Sequence, residues 1–316
     1  GIFARVINVF IPVRKKHWVF GADYGKSYRE GSKYLIEYML ENHKEYDCCF
    51  FFIDKQVYQD LQEKNIPCCI NTTLKGIITV AKADCIFTTQ VTGDVMYAYK
   101  KRGRNFYYLV HGMPLKRAFR QTPQRIRVVL NQVEGIKNLY QRMKDKICNY
   151  LVSGVDFKDV KFVSACSDFL AHYMRIEFDP KVAIKVLGMP RNDILFQPKK
   201  IAKEEWLPDL EGKFVITYMP AHRVYGHGDI TPTPFIERPD IQQWMKENDV
   251  VLLMKNHPNM ISKIKKVVDL PVIKDITKLH LDPQICIYHS DVLITDFSSV
   301  WMDYLLLRRP IFFYIY

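Results

Sequence analysis

Five short polar elements each follow an apolar, β-prone run. HGMPLK follows FYYLV (106–110), MPRND follows IKVLG (184–188), PAHR follows KFVITYM (213–219), NHP follows VVLLMK (250–255) and DFSS follows DVLIT (291–295). These elements carry His111, Arg191, Arg223, His257 and the cluster Asp296, Ser298 and Ser299. A histidine titrating near neutrality can take a proton from a hydroxyl, and arginine and histidine donors neutralise phosphate oxygens. Taken singly, a histidine before glycine is more often a satisfied hydrogen-bonding residue than a base. Five such groups at five strand ends describe an anion site, because ligands of open parallel sheets bind beyond the carboxyl ends of the strands.

The stretch SDVLITDFSSVWMDYLLLRRPIFFY (290–314) reads as strand, tight turn, helix and second strand. No Glu or Gln stands where a capping box would need it. Either Asp296 or one serine would serve as an ordinary cap, worth about 1 kcal/mol. Two serines beside the positive end of a helix suit a phosphate better. Asp303, one turn further in, falls on the side of Ser299, where it reads either as a ribose contact or as a solvated helix residue.

Several chemistries are excluded. The chain has no GxGxxG, no GxxxxGK[ST], no DxD and no HExxH, so dinucleotide, P-loop and obvious divalent-metal sites are not indicated. The expectation is a metal-free pyrophosphate site that requires no cofactor.

Short apolar strands alternating with longer amphipathic segments indicate parallel sheets covered on both faces. The pattern restarts after FQPKKIAKEEWLPDLEG, which has the character of a linker. A chain of 316 residues, 48% hydrophobic, has material for two cores. The expected architecture is α/β, two Rossmann-like doubly wound domains facing a cleft, spanning 1–195 and 196–316. The loop AHRVYGHGDITPTPFIERPD (221–240) is the candidate mobile flap. The chain stops directly after a strand, so the second domain is expected to continue.

A net charge of +12 predicts an anionic partner. It is concentrated in KKRGR (100–104), in Arg117, Arg120, Arg125 and Arg127, and in KIKK (263–266). No nucleic-acid-binding motif accompanies it, so nucleic acid is not the expected partner. No apolar run reaches the roughly 18 to 20 residues of a membrane span. The N-terminal IFARVINVFIPVRKKHW, apolar and then basic, reads either as an anchor at an anionic membrane surface or as a helix packed on its own domain. The basic cluster follows the apolar stretch and no small-residue cleavage site appears, which argues against a signal peptide. The eight cysteines, without metal spacing, read as buried thiols of a reducing cytoplasm.

Together and in this order, HGMPLK, GMPRND, YMPAHR, KNHP and TDFSSVWMDYLLLRRPIFFY resemble the CDP-glycerol glycerophosphotransferases that prime and polymerise teichoic acids. The likeness runs from about His17 to Tyr314. It implies a GT-B type fold, with the acceptor held mainly by the first domain and the CDP-linked donor by the second. It also implies transfer of glycerol phosphate or a related polyol phosphate, from CDP-glycerol or CDP-ribitol, to a hydroxyl of a lipid-linked saccharide or polyol phosphate. CMP is released, and the setting is the cytoplasmic face of the membrane. Carried over by position, His111 is the catalytic histidine, Arg191 joins it in a PR-D element, and Lys116 falls with the acceptor. Arg223, His257, Thr295, Asp296, Ser298, Ser299 and Asp303 fall with the donor. Two departures stand out: Met113 replaces the usual threonine of an HGTPLK element, and Ala221 with His222 replace a threonine–aromatic pair. Both remove a hydroxyl and leave the polyol open. Two other readings remain at this point: a GT-B glycosyltransferase using a nucleotide sugar, and a non-catalytic protein binding anionic polymer or membrane.

Overall fold

The computed structural model describes residues 1–90, 93–112, 143, 159–178, 180–201, 210–221, 238–256, 269–279 and 281–314. Met113, Lys116, His222, Arg223 and His257 lie outside these residues. So do Arg117, Arg120, Arg125, Arg127, the KIKK run and most of the 221–240 loop.

The chain divides into two compact units, Gly1–Asp193 and Ile194–Tyr316. Unit 1 is built on strands β1 (His17–Gly21), β2 (Asp47–Phe52), β3 (Cys68–Ile70), β4 (Cys85–Thr88), β5 (Asn105–Tyr108), β6 (Phe162–Ala165) and β7 (Ala183–Val186). They pair in the order β3-β2-β1-β4-β5-β6-β7, all parallel. Helices α1 (Ile2–Phe10), α2 (Glu30–Asn42), α3 (Lys55–Glu63), α4 (Leu74–Lys82) and α5 (Asp168–Glu177) accompany them. The strand order reverses between β1 and β4, which is the switch point where doubly wound sheets open a crevice.

The central strands are uniform in burial because both faces are covered. β2 presents Cys48, Cys49, Phe50, Phe51 and Phe52, all buried. Phe50 stacks on Phe52, Phe20 on Phe87, and Phe87 on Tyr107. Each fully buried aromatic of this kind contributes about 1.5–3 kcal/mol by leaving water. Side-chain caps fix three helix starts: Asp54 accepts from Gln56 and Val57 at α3, Thr73 from Gly76 at α4, and Ser167 from Leu170 at α5. Cys48, Cys49, Cys68, Cys69 and Cys85 are buried free thiols.

Unit 2 repeats the plan with β8 (Phe214–Tyr218), β9 (Val250–Met254), β10 (Asp269–Leu270), β11 (Ile273–Asp275), β12 (Val292–Thr295) and β13 (Ile311–Phe313). The order is β10-β11-β9-β8-β12-β13, and only the β10–β11 pair is antiparallel. Its helices are α6 (Pro198–Ile201), α7 (Pro239–Glu247), α8 (Pro283–Tyr288) and α9 (Val300–Tyr304). Here the order reverses between β8 and β12, so the turn after β12 falls at the switch point of its own sheet. Both units are thus Rossmann-like.

The N-terminal segment packs on its own unit. Ala4 and Asn8 of α1 are buried, and Ala4 meets Ile77 of α4 and Tyr99. The buried Arg104 donates to Asn8 Oδ1 at 2.9 Å and to the carbonyls of Val80, Ala81, Ala83 and Tyr99. Lys101 Nζ donates to the carbonyls of Asn8 and Ile11, and the Arg5 guanidinium lies over the Tyr99 ring. The helix therefore docks by its small and polar side, while Ile2, Phe3, Val6, Val9 and Phe10 remain exposed on the other. No helix among the described residues is long and apolar enough to cross a membrane.

Candidate active site

In unit 1 the carboxyl ends of β1, β4, β5 and β7 supply one connected set of groups. His111 follows β5, and its Nδ1 lies 3.1 Å from the Thr89 carbonyl oxygen. A carbonyl only accepts, so Nδ1 carries the proton and donates it. The lone pair is then on Nε2, the arrangement a general base requires. His111 is exposed, so that lone pair is accessible.

The Thr89 carbonyl is itself held in place. Asp94, completely buried, accepts from the Thr89 amide at 2.6 Å, the Gln90 amide at 2.7 Å and the Thr89 hydroxyl at 3.2 Å through Oδ2. Through Oδ1 it accepts from the Tyr24 amide at 2.7 Å, tying the β1 loop to the β4 loop across the switch point. Burial pushes the Asp94 carboxyl above the usual carboxylate range, and these donors pull against that rise.

Arg191 lies behind His111. Its side chain is buried, and Nη1 donates to Glu30 Oε2 at 2.6 Å and to the His111 carbonyl oxygen. Arg191, expected as a catalytic group, grips the main chain of the histidine.

The backbone around these groups departs from ordinary conformations. Val110, immediately before His111, has φ 62, Glu30 has φ 64, and Asp23 and Tyr24 have φ 49 and 55. Each non-glycine residue held there costs about 1–3 kcal/mol, and such strain gathers where function over-determines the backbone. The β1 loop is braced further by Asp23, which accepts from Ser27 at 2.7 Å and from Arg29.

In unit 2 the described residues among those expected at the donor meet at the β8–β12 switch point. The buried Thr295 donates its hydroxyl to the Met219 carbonyl at 2.6 Å. Asp296, also buried, accepts from the Ala221 amide at 2.7 Å, pinning the start of the loop that carries Arg223. Both side chains thus shape the turn. Ser298 and Ser299 follow, part-exposed, and Ser299 is the N-cap of α9 without a side-chain cap bond. α9 is only five residues long and continues as a 3-10 turn over Leu305–Leu307. Its dipole is correspondingly small, so the helix field alone adds little. Asp303 is not the solvated residue that one reading expected: it is buried and accepts from Gln284 Nε2 at 3.1 Å. Phe297 stands exposed beside the serines.

The structure therefore brings His111 and Arg191 together in unit 1, and Thr295, Asp296, Ser298, Ser299 and Asp303 together in unit 2. Thr89, Asp94 and Glu30 had not been singled out in the sequence. Among the described residues no cluster of His, Cys, Asp or Glu is placed to hold a metal ion.

Comparison with known proteins bears on this arrangement. The chain is similar to the teichoic acid poly(glycerol phosphate) polymerase of Bacillus subtilis (strain 168), 25% identical over 96% of this chain and 39% of that protein. It is 26% identical to the teichoic acid glycerol-phosphate transferase of Staphylococcus aureus (strain NCTC 8325 / PS 47), over 94% of this chain and 73% of that protein. The chain thus spans well under half of the first of these relatives. The solved wall teichoic acid polymerase TagF has the same fold, with a TM-score of 0.68 and 22% identity over 99% of this chain and 74% of that one. A variant of TagF has also been solved after soaking with CDPG. The model of the CDP-glycerol:poly(glycerophosphate) glycerophosphotransferase family matches residues 3–316, and the chain belongs to that family.

Proposed function

We propose that this chain transfers glycerol phosphate from CDP-glycerol to a hydroxyl of a lipid-linked acceptor in teichoic acid or similar cell-surface polymer synthesis, releasing CMP. The observation that carries the reading is His111, whose Nδ1 proton is committed to Thr89 and whose Nε2 lone pair is exposed. Family membership supplies the donor class.

In this reaction the acceptor hydroxyl attacks the distal phosphorus, its proton passes to His111 Nε2, and the P–O bond to CMP breaks. Transfer of this kind rests on positioning and charge stabilisation, with little covalent chemistry for the protein. Ser298, Ser299 and the open amides of α9 receive the pyrophosphate, with Arg223 and His257 as further donors. Thr295 and Asp296 hold the turn in shape. Each well-placed donor supplies about 3 kcal/mol at the transition state. Asp303 supports the turn from behind through Gln284, and its carboxylate faces the ribose only if that side opens on binding. Lys116 belongs with the acceptor. No divalent ion or cofactor is required in this reading, and nucleic acid has no part in it.

The acceptor is lipid-linked, so the chain meets it at an anionic membrane surface on the cytoplasmic side. The outward apolar face of α1, followed by Arg14, Lys15 and Lys16, supports that placement.

The test is to supply CDP-glycerol, CDP-ribitol and nucleotide sugars separately, each with a lipid-linked acceptor, with and without chelator, and follow nucleotide release. CMP release from CDP-glycerol that depends on the acceptor and survives chelation is expected. Release from a nucleotide sugar alone would make the chain a glycosyltransferase, and no release from any donor would favour a binding protein.

A further inference from the structure

We infer that Glu30 is a positioning residue for the reaction: its carboxylate fixes Arg191, and Arg191 fixes the main chain of His111. The inference rests on the reading of His111 as the base.

The two protons of Arg191 Nη1 have two destinations, Glu30 Oε2 and the His111 carbonyl oxygen. A guanidinium as buried as this one needs a partner for its charge, and Glu30 supplies a carboxylate at 2.6 Å. The histidine is therefore held at two points from different strands. Its ring is held by the β4 loop through Thr89, and its main chain is held by Arg191 after β7.

The second hold answers a specific strain. Val110 is β-branched, buried and at φ 62, a conformation it would leave if the following carbonyl were released. Glu30 carries matching strain at φ 64, on the first residue of α2. The adjacent Gly31 lies beside both segments: a Cβ built on it would come to ordinary contact distance, 3.4 Å from Leu109 Cβ and 3.6 Å from Pro190 Cδ. The start of α2 thus neighbours both segments that Glu30 links through Arg191. Removing the Glu30 charge takes away one hold on Arg191 Nη1 and loosens its grip on the Val110–His111 peptide. The base then drifts from its place while the donor turn of unit 2 is untouched.

The test compares Glu30→Gln, Arg191→Met and the double variant in the full chain. Glu30→Gln keeps the shape and removes the charge. Turnover is expected to fall about ten- to hundredfold, the scale of a base misplaced by about an ångström, with KM for CDP-glycerol within about twofold of the parent. Because Glu30 acts through Arg191, the double variant should be no slower than Arg191→Met alone. Multiplying losses, or parental turnover in Glu30→Gln, would overturn the inference. If Glu30→Gln fails to fold, Glu30→Asp, which keeps the charge but withdraws it by one methylene, should show the same loss in turnover, and parental turnover there would overturn the inference. A second readout needs no turnover. Nitrogen chemical shifts of His111 should report the Nδ1-protonated tautomer in the parent and a mixture in Glu30→Gln. Identical tautomers in both would sink the inference even if CDP-glycerol proved not to be the donor.

Discussion

At His111 the decisive fact is which nitrogen carries the proton, and a main-chain carbonyl decides it. With Nδ1 donating to Thr89, Nε2 keeps its lone pair, and the proposed reaction delivers the acceptor proton there. His111→Ala should therefore lower kcat by about a hundredfold or more, the usual scale for a lost general base, with KM for CDP-glycerol little changed. Steady-state CMP release measures both. The carboxylate behind Thr89 makes a different prediction. Asp94 meets donors on both oxygens, and an asparagine has only one oxygen to offer. Asp94→Asn should leave the Tyr24 amide or the Thr89 pair facing an NH2 group and cost about 1–3 kcal/mol, read from urea unfolding. The sequence made His111 legible because it sits at a strand end beside glycine, in a motif with family meaning. Asp94, Glu30 and the contacts of Arg191 were not legible. Each acts through a partner on another strand, as far away as residue 30 is from residue 191, and no local pattern encodes such a meeting.

At the scale of elements, the strands were legible because parallel strands buried on both faces read as unbroken apolar runs. FVITY of the run KFVITYM is β8, and VVLLM of the run VVLLMK is β9. β10, only two residues long, is too short for any period to show. The helix after β12 was read as a phosphate receptor partly on its dipole, and five residues give little dipole. Its amides and the two serines still make a strong test. Ser298→Asp or Ser299→Asp places a carboxylate at those amides, where it caps the helix. The protein should stay folded while CDP-glycerol affinity, measured by calorimetry in excess chelator, falls at least tenfold. Tight binding by both variants would make the turn a structural cap. For α1, docking through Asn8 and Arg104 means that removing the helix would uncover Ile77 and Tyr99, so a deletion confuses folding with binding. Phe3→Asp with Phe10→Asp alters only exposed positions. Sedimentation with anionic vesicles should fall sharply while the thermal midpoint stays within about 2 °C, since surface changes of this kind move stability by about 0.5 kcal/mol or less.

Across the whole molecule, the proposed approach to a lipid-linked acceptor would draw on charge and apolar surface in different ways. The net +12 acts at a distance set by the Debye length, about 10 Å at 0.1 M salt and about 3 Å at 1 M. The apolar face of α1 acts only on contact and is little affected by salt. Each basic residue near an anionic surface contributes about 1 kcal/mol, so Arg14, Lys15 and Lys16 together supply about 3 kcal/mol, or about a hundredfold in affinity. Changing all three to glutamate should weaken binding to anionic vesicles by at least that factor at low salt. The parent should lose a comparable factor between about 0.05 and 0.5 M salt and then level off at the contribution of the apolar face. Turnover with a detergent-solubilised acceptor should change far less than vesicle binding, because His111 and the donor turn lie on other elements than α1. If vesicle binding by the parent is indifferent to salt and to the three glutamates, the charge serves the anionic substrates alone, and α1 is an ordinary packed helix whose outer face meets something other than lipid.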